Sequence, residues 1–153
     1  MFIFLTLLAS VASAVLYRMG GSGKYNTQVR DIGCSLINTL VLGMWLGWHW
    51  PLILTFFINW GTLTTYWDFV NKILPVKDKD KEYWWNWALH GFFNSFAAFP
   101  LALWLNLLPW LIVKSLLCAL MTMLVSILSD KDTVEEYGRG AAMPLSNLLA
   151  ATL

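Results

Sequence analysis

The chain has 153 residues, of which 58% are hydrophobic and 12% are charged, and its formal net charge is +1. Soluble domains carry about 25% charged residues, so a soluble fold of this composition would leave its surface too apolar. The small net charge gives no general electrostatic case for nucleic acid, so we expect no nucleic-acid partner. The lack of repeats and linkers predicts one domain over residues 1–153.

Charge is confined to three clusters with long apolar runs between them. All nine acids and nine of the ten Lys and Arg residues fall in 18–31, 68–82 and 130–139. The runs 32–67 and 83–129 are each too long for one helix across a hydrocarbon core of about 30 Å. We therefore divide each run into two helices, the first run at Pro51 and the second at Asn106–Pro109. The predicted spans are 2–17, 32–49, 51–70, 84–105 and 109–128.

The C-terminal stretch is too short to span a membrane comfortably. Residues 129–140 predict a short helix that ends at glycine, and the apolar stretch 141–153 that follows has only 13 residues. We therefore expect an all-α polytopic membrane bundle of about five transmembrane helices plus a C-terminal half-inserted or re-entrant helix. A short sixth span is the alternative.

The positions of the bases predict the orientation. The three clusters hold Lys and Arg, whereas the alternate turns at 49–51 and 106–109 hold none. The positive-inside rule then places the N-terminus outside and the charged loops in the cytoplasm. Lys114 is the exception, and it is expected to extend its side chain outward to the interface.

Basic and glycine-rich positions in the clusters are candidates for phosphate binding. Arg18, Gly20 and Gly21 precede Ser22-Gly23-Lys24, where glycine backbone and flanking bases suit an anion. A flexible turn at the end of a helix explains the same residues. Arg30 and Arg139 are the other candidates, and Arg30 has the structural alternative of neutralising Asp31, a predicted helix cap.

Asp68 and His90 are the candidate catalytic residues. A carboxylate at a helix C-terminus opposes the helix dipole, so Asp68 has no evident role in helix stability. His90 lies one to two turns inside the membrane, with Asn86 and Asn94 on the same helix face, and suits general acid–base work or a hydrogen bond between helices. Asp68 with Glu135 and Glu136 would hold Mg²⁺, the cofactor that carboxylates favour.

Four short motifs resemble small uncharacterised polytopic membrane proteins of tailed phages and prophages. They are Tyr17-Arg18-Met19-Gly20-Gly21, Thr65-Tyr66-Trp67-Asp68, His90-Gly91-Phe92-Phe93, and Glu135-Glu136 followed by Gly138-Arg139-Gly140. The resemblance implies a bacterial inner-membrane setting and carries no activity.

Three functions follow from these patterns. The first is an enzyme or binder that acts on a phosphorylated lipid or another membrane-embedded phosphate, by phosphoryl transfer or hydrolysis. The second is a non-catalytic phage-type effector, holin-like or an exclusion protein that binds a host membrane protein. The third is a small transporter or channel, expected as a homo-oligomer, whose polar route Asn59, His90, Asn94 and Lys114 would line. Membrane lipids are partners in all three.

Overall fold

The computed structural model describes residues 1–21, 27–73, 83–129 and 132–152, and these form helices joined by short turns. The helices are α1 (Phe2–Gly21), α2 (Thr27–Leu46), α3 (Pro51–Ile73), α4 (Tyr83–Phe96), α5 (Phe99–Trp104), α6 (Leu108–Leu128) and α7 (Asp132–Thr152). The expected all-α fold is confirmed for the described residues. Among the described residues, three helices are long and apolar enough to cross a membrane: α1, α2 and α6.

Proline and glycine set the turns where the sequence predicts them. Pro51 is the first residue of α3, a position where its missing N–H costs no hydrogen bond. Gly47 has a φ of 90° just after α2, and Asn106 has a φ of 57° before α6. Both turns lie where the long apolar runs were divided.

The expected span 84–105 is a broken helix. Helix α4 ends at Phe96, Ala97 and Ala98 form a turn, and α5 begins at Phe99. Pro100 lacks the N–H that would donate to the Phe96 carbonyl, and its ring disfavours helical backbone at the preceding residue. The chain therefore interrupts the helix just before Pro100.

Helix α2 begins earlier than expected, and Asp31 is not its cap. The helix starts at Thr27, so Arg30 and Asp31 lie within its first turns. The side chains of Arg30 and Asp31 form an ion pair. Because their charges offset each other, both residues can lie in the helix, although the prediction began the helix at the first uncharged residue after them.

The C-terminal region differs from its prediction in a larger way. Instead of a short helix and a separate half-helix, α7 is one helix of 21 residues that packs against α1 and α6. Gly138 and Gly140 do not end it. An ideal Cβ at Gly140 would lie 2.7 Å from both the Ala14 Cα and the Ser13 carbonyl oxygen of α1, so glycine permits close contact between the two helix backbones.

The helices are arranged so that one end of the bundle carries the ion pairs. We call it the charged end: α1, α3 and α6 finish there, and α2, α4 and α7 begin there. Helices α1 and α7 are antiparallel. Arg18 of α1 contacts Glu136 of α7, whereas Ala14, earlier in α1, lies beside Gly140, which is later in α7. An apolar cluster that includes Leu42, Leu101 and Leu111 fills the core toward the opposite end.

Candidate functional site

Two ion pairs at the charged end involve α7, one with α1 and one within α7 itself. Arg18 of α1 pairs with Glu136, and Arg139 pairs with Glu135 one turn earlier in α7. The side chains of Arg139 and Glu135 are 6% and 12% exposed, whereas those of Arg18 and Glu136 are 31% and 18% exposed. The Arg139 pair is therefore the more buried of the two, and the bases predicted to bind phosphate already have carboxylate partners.

Arg139 has an aromatic neighbour as well as an acidic one. Its guanidinium carbon lies 3.4 Å from the ring centroid of Trp87 in α4, and its Nη2 donates to Ser126 Oγ of α6 at 3.2 Å. A guanidinium over an indole face is stabilised by the ring quadrupole, more so where water is excluded. Arg139 therefore joins α7 to α4 and α6.

Arg30 and Asp31 form a second centre beside α1 and α3. Arg30 Nε donates to Asp31 Oδ1 at 2.7 Å, and the guanidinium lies 5.1 Å from the Tyr17 ring centroid. Asp31 is buried, and its Oδ2 accepts a long hydrogen bond of 3.4 Å from Thr64 of α3.

The glycines predicted as an anion nest are part of helix α1. Both Gly20 and Gly21 lie within it, and a Cβ at Gly20 would lie 2.5 Å from Arg30 Cδ. Gly20 therefore makes room for the Arg30 side chain. Residues 22–26, which complete the predicted loop, lie outside the described residues.

His90 is buried at the centre of the bundle. Its ring has edge contacts with Tyr66 and Trp87, with centroid distances of 4.8 and 5.3 Å, and its Nε2 lies 3.0 Å from Asn94 Nδ2. It also lines an internal cavity of about 20 Å³, which has room for about one water molecule. Tyr17, Cys34, Cys118 and Arg139 also line that cavity.

A polar layer continues from His90 toward the opposite end. Asn59 of α3 donates from Nδ2 to the Asn94 carbonyl of α4 at 3.0 Å. Asn147 of α7 donates to Asn38 of α2 at 3.4 Å. Within the described residues, helices α2, α3, α4, α6 and α7 also hold buried side-chain N or O atoms without a hydrogen-bond partner. They belong to Asn38, Thr55, Asn59, Asn86, Asn94, Ser115 and Asn147.

Lys114 lies in the interior, and the prediction that it extends outward is wrong. Its side chain is fully buried, and its Nζ donates to Ser95 Oγ at 2.6 Å and to the Ser95 carbonyl at 3.2 Å. The hydroxyl and carbonyl of Ser95 offer two acceptors on the interior side, and these hold the ammonium away from the interface.

Asp68 stands apart from the buried centres. It lies on an exposed part of α3, one turn beyond Thr64. Among the described residues, no group of three or more His, Cys, Asp or Glu side chains is placed to hold a metal ion. The three carboxylates predicted to hold Mg²⁺ are therefore not gathered at one site. Asp68 is exposed, whereas Glu135 and Glu136 are each paired with an arginine.

The lateral surface carries a groove between α3 and the α4–α5 pair. Its volume is about 470 Å³, and it is lined mainly by apolar side chains that include Ile58, Phe69, Phe93 and Phe99. The hydroxyl of Thr65, another lining residue, donates to the Gly61 carbonyl of its own helix. The groove therefore offers an apolar surface.

Sequence reasoning found the bases, His90 and Asn94 but missed several of their partners. Trp87 and Ser95 were not singled out, and Asn38 and Asn147 were isolated amides in apolar runs. Ser95 follows Asn94 directly, and Trp87 lies three residues before His90. The spacing of 87, 90 and 94 along α4 was a usable signal for Trp87.

Comparison of the chain with family models, curated proteins and solved structures finds no match.

Proposed function

We propose that this protein is a polytopic bacterial inner-membrane protein with six crossings, namely α1, α2, α3, the α4–α5 pair, α6 and α7. Helices α3 and α7 have 23 and 21 residues, enough for a core of about 30 Å. Trp48, Trp50 and Trp104 are exposed at the opposite end, as expected of side chains at a membrane interface.

Six crossings place both termini on the same side of the membrane, which is the periplasmic side under the positive-inside rule. Reporter fusions test this arrangement. A C-terminal alkaline phosphatase fusion should be active and a C-terminal fluorescent-protein fusion dark. The reverse result would place the C-terminus in the cytoplasm and leave α7 as a half-inserted helix.

For activity we propose a small transporter or channel, and the polar interior is the observation that carries this proposal. Lipid-facing helices need no polar core, and buried polar groups without partners are costly. Here six helices place polar side chains inside, and several of their atoms have no partner in the described part of the chain. Such an interior suits water or a polar solute between the helices.

The residues of this route form a connected series. Arg139 lies over Trp87 at the charged end, His90 and Asn94 follow along α4, Asn59 joins from α3, and Lys114 reaches Ser95. The cavity beside His90 has a volume of only about 20 Å³. The arrangement is thus a closed state, and passage of a solute requires the helices to separate or a homo-oligomer to form.

Flux into proteoliposomes tests the proposal. Vesicles with the purified protein should pass a small anion or another small solute faster than empty vesicles. Replacing Asn94, which touches both His90 and Asn59, with Leu should lower the flux at least about tenfold, whereas Thr62→Val, in the lateral groove, should leave it unchanged. Flux at the level of empty vesicles for anions, cations and protons would remove the proposal.

An enzyme acting on a phosphorylated lipid is the second candidate, and one observation favours it. Arg18, Arg30 and Arg139 gather at the charged end, near the cavity that His90 lines. Guanidinium groups bind phosphate well. However, each of these arginines is paired with a carboxylate, so a phosphate must displace an acid to bind.

The test of this candidate is turnover of a lipid phosphate by purified protein with Mg²⁺. Turnover should require the metal and should be lost in Asp68→Asn and in His90→Ala. Full activity in the double variant would rule out this mechanism. The effector function stays a prediction, and toxicity or leakage on expression is its measurement.

A further inference from the structure

Lys114 carries a feature that the route described above does not explain. Helix α6 is one of the three helices apolar enough to cross a membrane, and Lys114 is the base within it. Its side chain is fully buried, and both of its hydrogen bonds go to Ser95, which has no charge. The ammonium is therefore solvated by neutral groups.

The described part of the chain offers Lys114 no counter-charge. The three ion pairs there use Glu136, Asp31 and Glu135, each with an arginine, and Asp68 is exposed. A buried charge without a partner carries a large desolvation cost. An external ion of opposite sign would offset that cost.

The surroundings of Lys114 are suited to an anion. An ammonium has three donors, and the two hydrogen bonds to Ser95 leave the third for a ligand. The hydroxyl of Ser115, in the next position, is buried without a partner in the described structure. The internal cavity is lined by sequence neighbours of the two residues, Asn94 beside Ser95 and Cys118 one turn beyond Lys114, and not by Lys114 or Ser95.

We propose that Lys114 and Ser95 form an internal site for a small inorganic anion such as chloride. This inference rests on the proposed function and deepens it by naming the class of solute. The positive charge of Lys114 excludes cations from the same place. Lys114 and Ser95 are both fully buried, so only a small anion fits beside them in this conformation.

Thermal unfolding of the purified full chain in detergent tests the site. Sodium chloride replaces sodium gluconate at constant ionic strength, so only the anion changes. Because a ligand that binds only the folded state raises Tm, the wild type should gain about 5–10 °C at a chloride concentration about 100 times Kd. Lys114→Met, which keeps an unbranched side chain one atom shorter and removes the charge, should show no chloride dependence.

Arg18→Met is the matched control, since it also removes one positive charge but from an ion pair at the charged end. It should respond to chloride as the wild type does. A wild type without chloride dependence, or a Lys114→Met variant that responds like the wild type, overturns the proposal. If Lys114→Met does not fold, Ser95→Ala is used in its place. This variant should raise the Kd for radiolabelled chloride at least about tenfold. An unchanged Kd would overturn the proposed site.

The outcome can be separated from that of the proposed function. Chloride-dependent stability that requires Lys114, without flux into proteoliposomes, keeps the anion site and removes transport. Flux that does not change in Lys114→Met, with no chloride effect on Tm, keeps transport and removes the site.

Discussion

The ion pair between Arg139 and Glu135 allows the stability of the charged end to be predicted quantitatively. Both side chains are nearly buried, and Arg139 also covers Trp87 and donates to Ser126. Arg139→Met removes the arginine partner of the Glu135 carboxylate, and breaking a buried ion pair in this way costs about 3–5 kcal/mol of unfolding free energy. Glu135→Gln should cost less, because Arg139 keeps its contacts with Trp87 and Ser126.

The double variant separates the ion pair from the other contacts. With both charges removed, no unpaired ion remains, so the loss should be smaller than the sum of the two single losses by about 1–3 kcal/mol. The free energies come from unfolding in mixed micelles with increasing SDS, followed by circular dichroism. Reversibility is checked by refolding from SDS.

A second ion pair, which joins α1 to α7, supplies the control. Arg18 and Glu136 are more exposed, and such pairs contribute about 0–1 kcal/mol. Arg18→Met should therefore cost much less than Arg139→Met. Equal losses in the two variants would show that burial does not set the strength of these pairs and would refute the reasoning.

Two further predictions concern helix packing. Gly140→Ala should destabilise the bundle by about 1–3 kcal/mol, because the new Cβ would meet the backbone of α1. Gly61→Ala is the control and should not destabilise the bundle, because no atom lies within 4 Å of its Cβ. Equal effects of the two substitutions would contradict the α1–α7 contact. Asn147→Leu should cost about 0.6 kcal/mol or less, because the hydrogen bond to Asn38 is long and such bonds are weak within membranes. Both are measured by SDS unfolding, and a loss above about 2 kcal/mol for Asn147→Leu would indicate a stronger role.

The sequence predicted the helices better than it predicted their ends. Apolar length between charge clusters located the turns at Pro51 and at Asn106, because the hydrocarbon thickness limits a single helix. It missed the full extent of α7, since Arg139, Gly140 and Asn147 make that helix too polar to be recognised by apolarity. Contacts with α1, α2, α4 and α6 compensate for that polarity, and a single segment does not reveal its neighbours.

The candidate site was predicted only in part. The fourfold spacing of Asn86, His90 and Asn94 indicated a polar face on one helix, and the structure buries all three side chains. The ion pair between Arg18 and Glu136 could not be predicted, because the two residues are 118 positions apart in the sequence. Their pairing depends on the antiparallel contact of α1 with α7.

The sequence by itself determined that this chain is helical and apolar, with its charges gathered in three segments, since these properties depend only on residue type and spacing. Only the tertiary structure decided where those charges find partners. Lys114 illustrates the difference: its flexible stem reaches either the interface or the interior, and the acceptors of Ser95 on a neighbouring helix decide for the interior. Hydropathy describes the preference of a side chain for its solvent, whereas hydrogen bonds and ion pairs depend on which helix lies beside it.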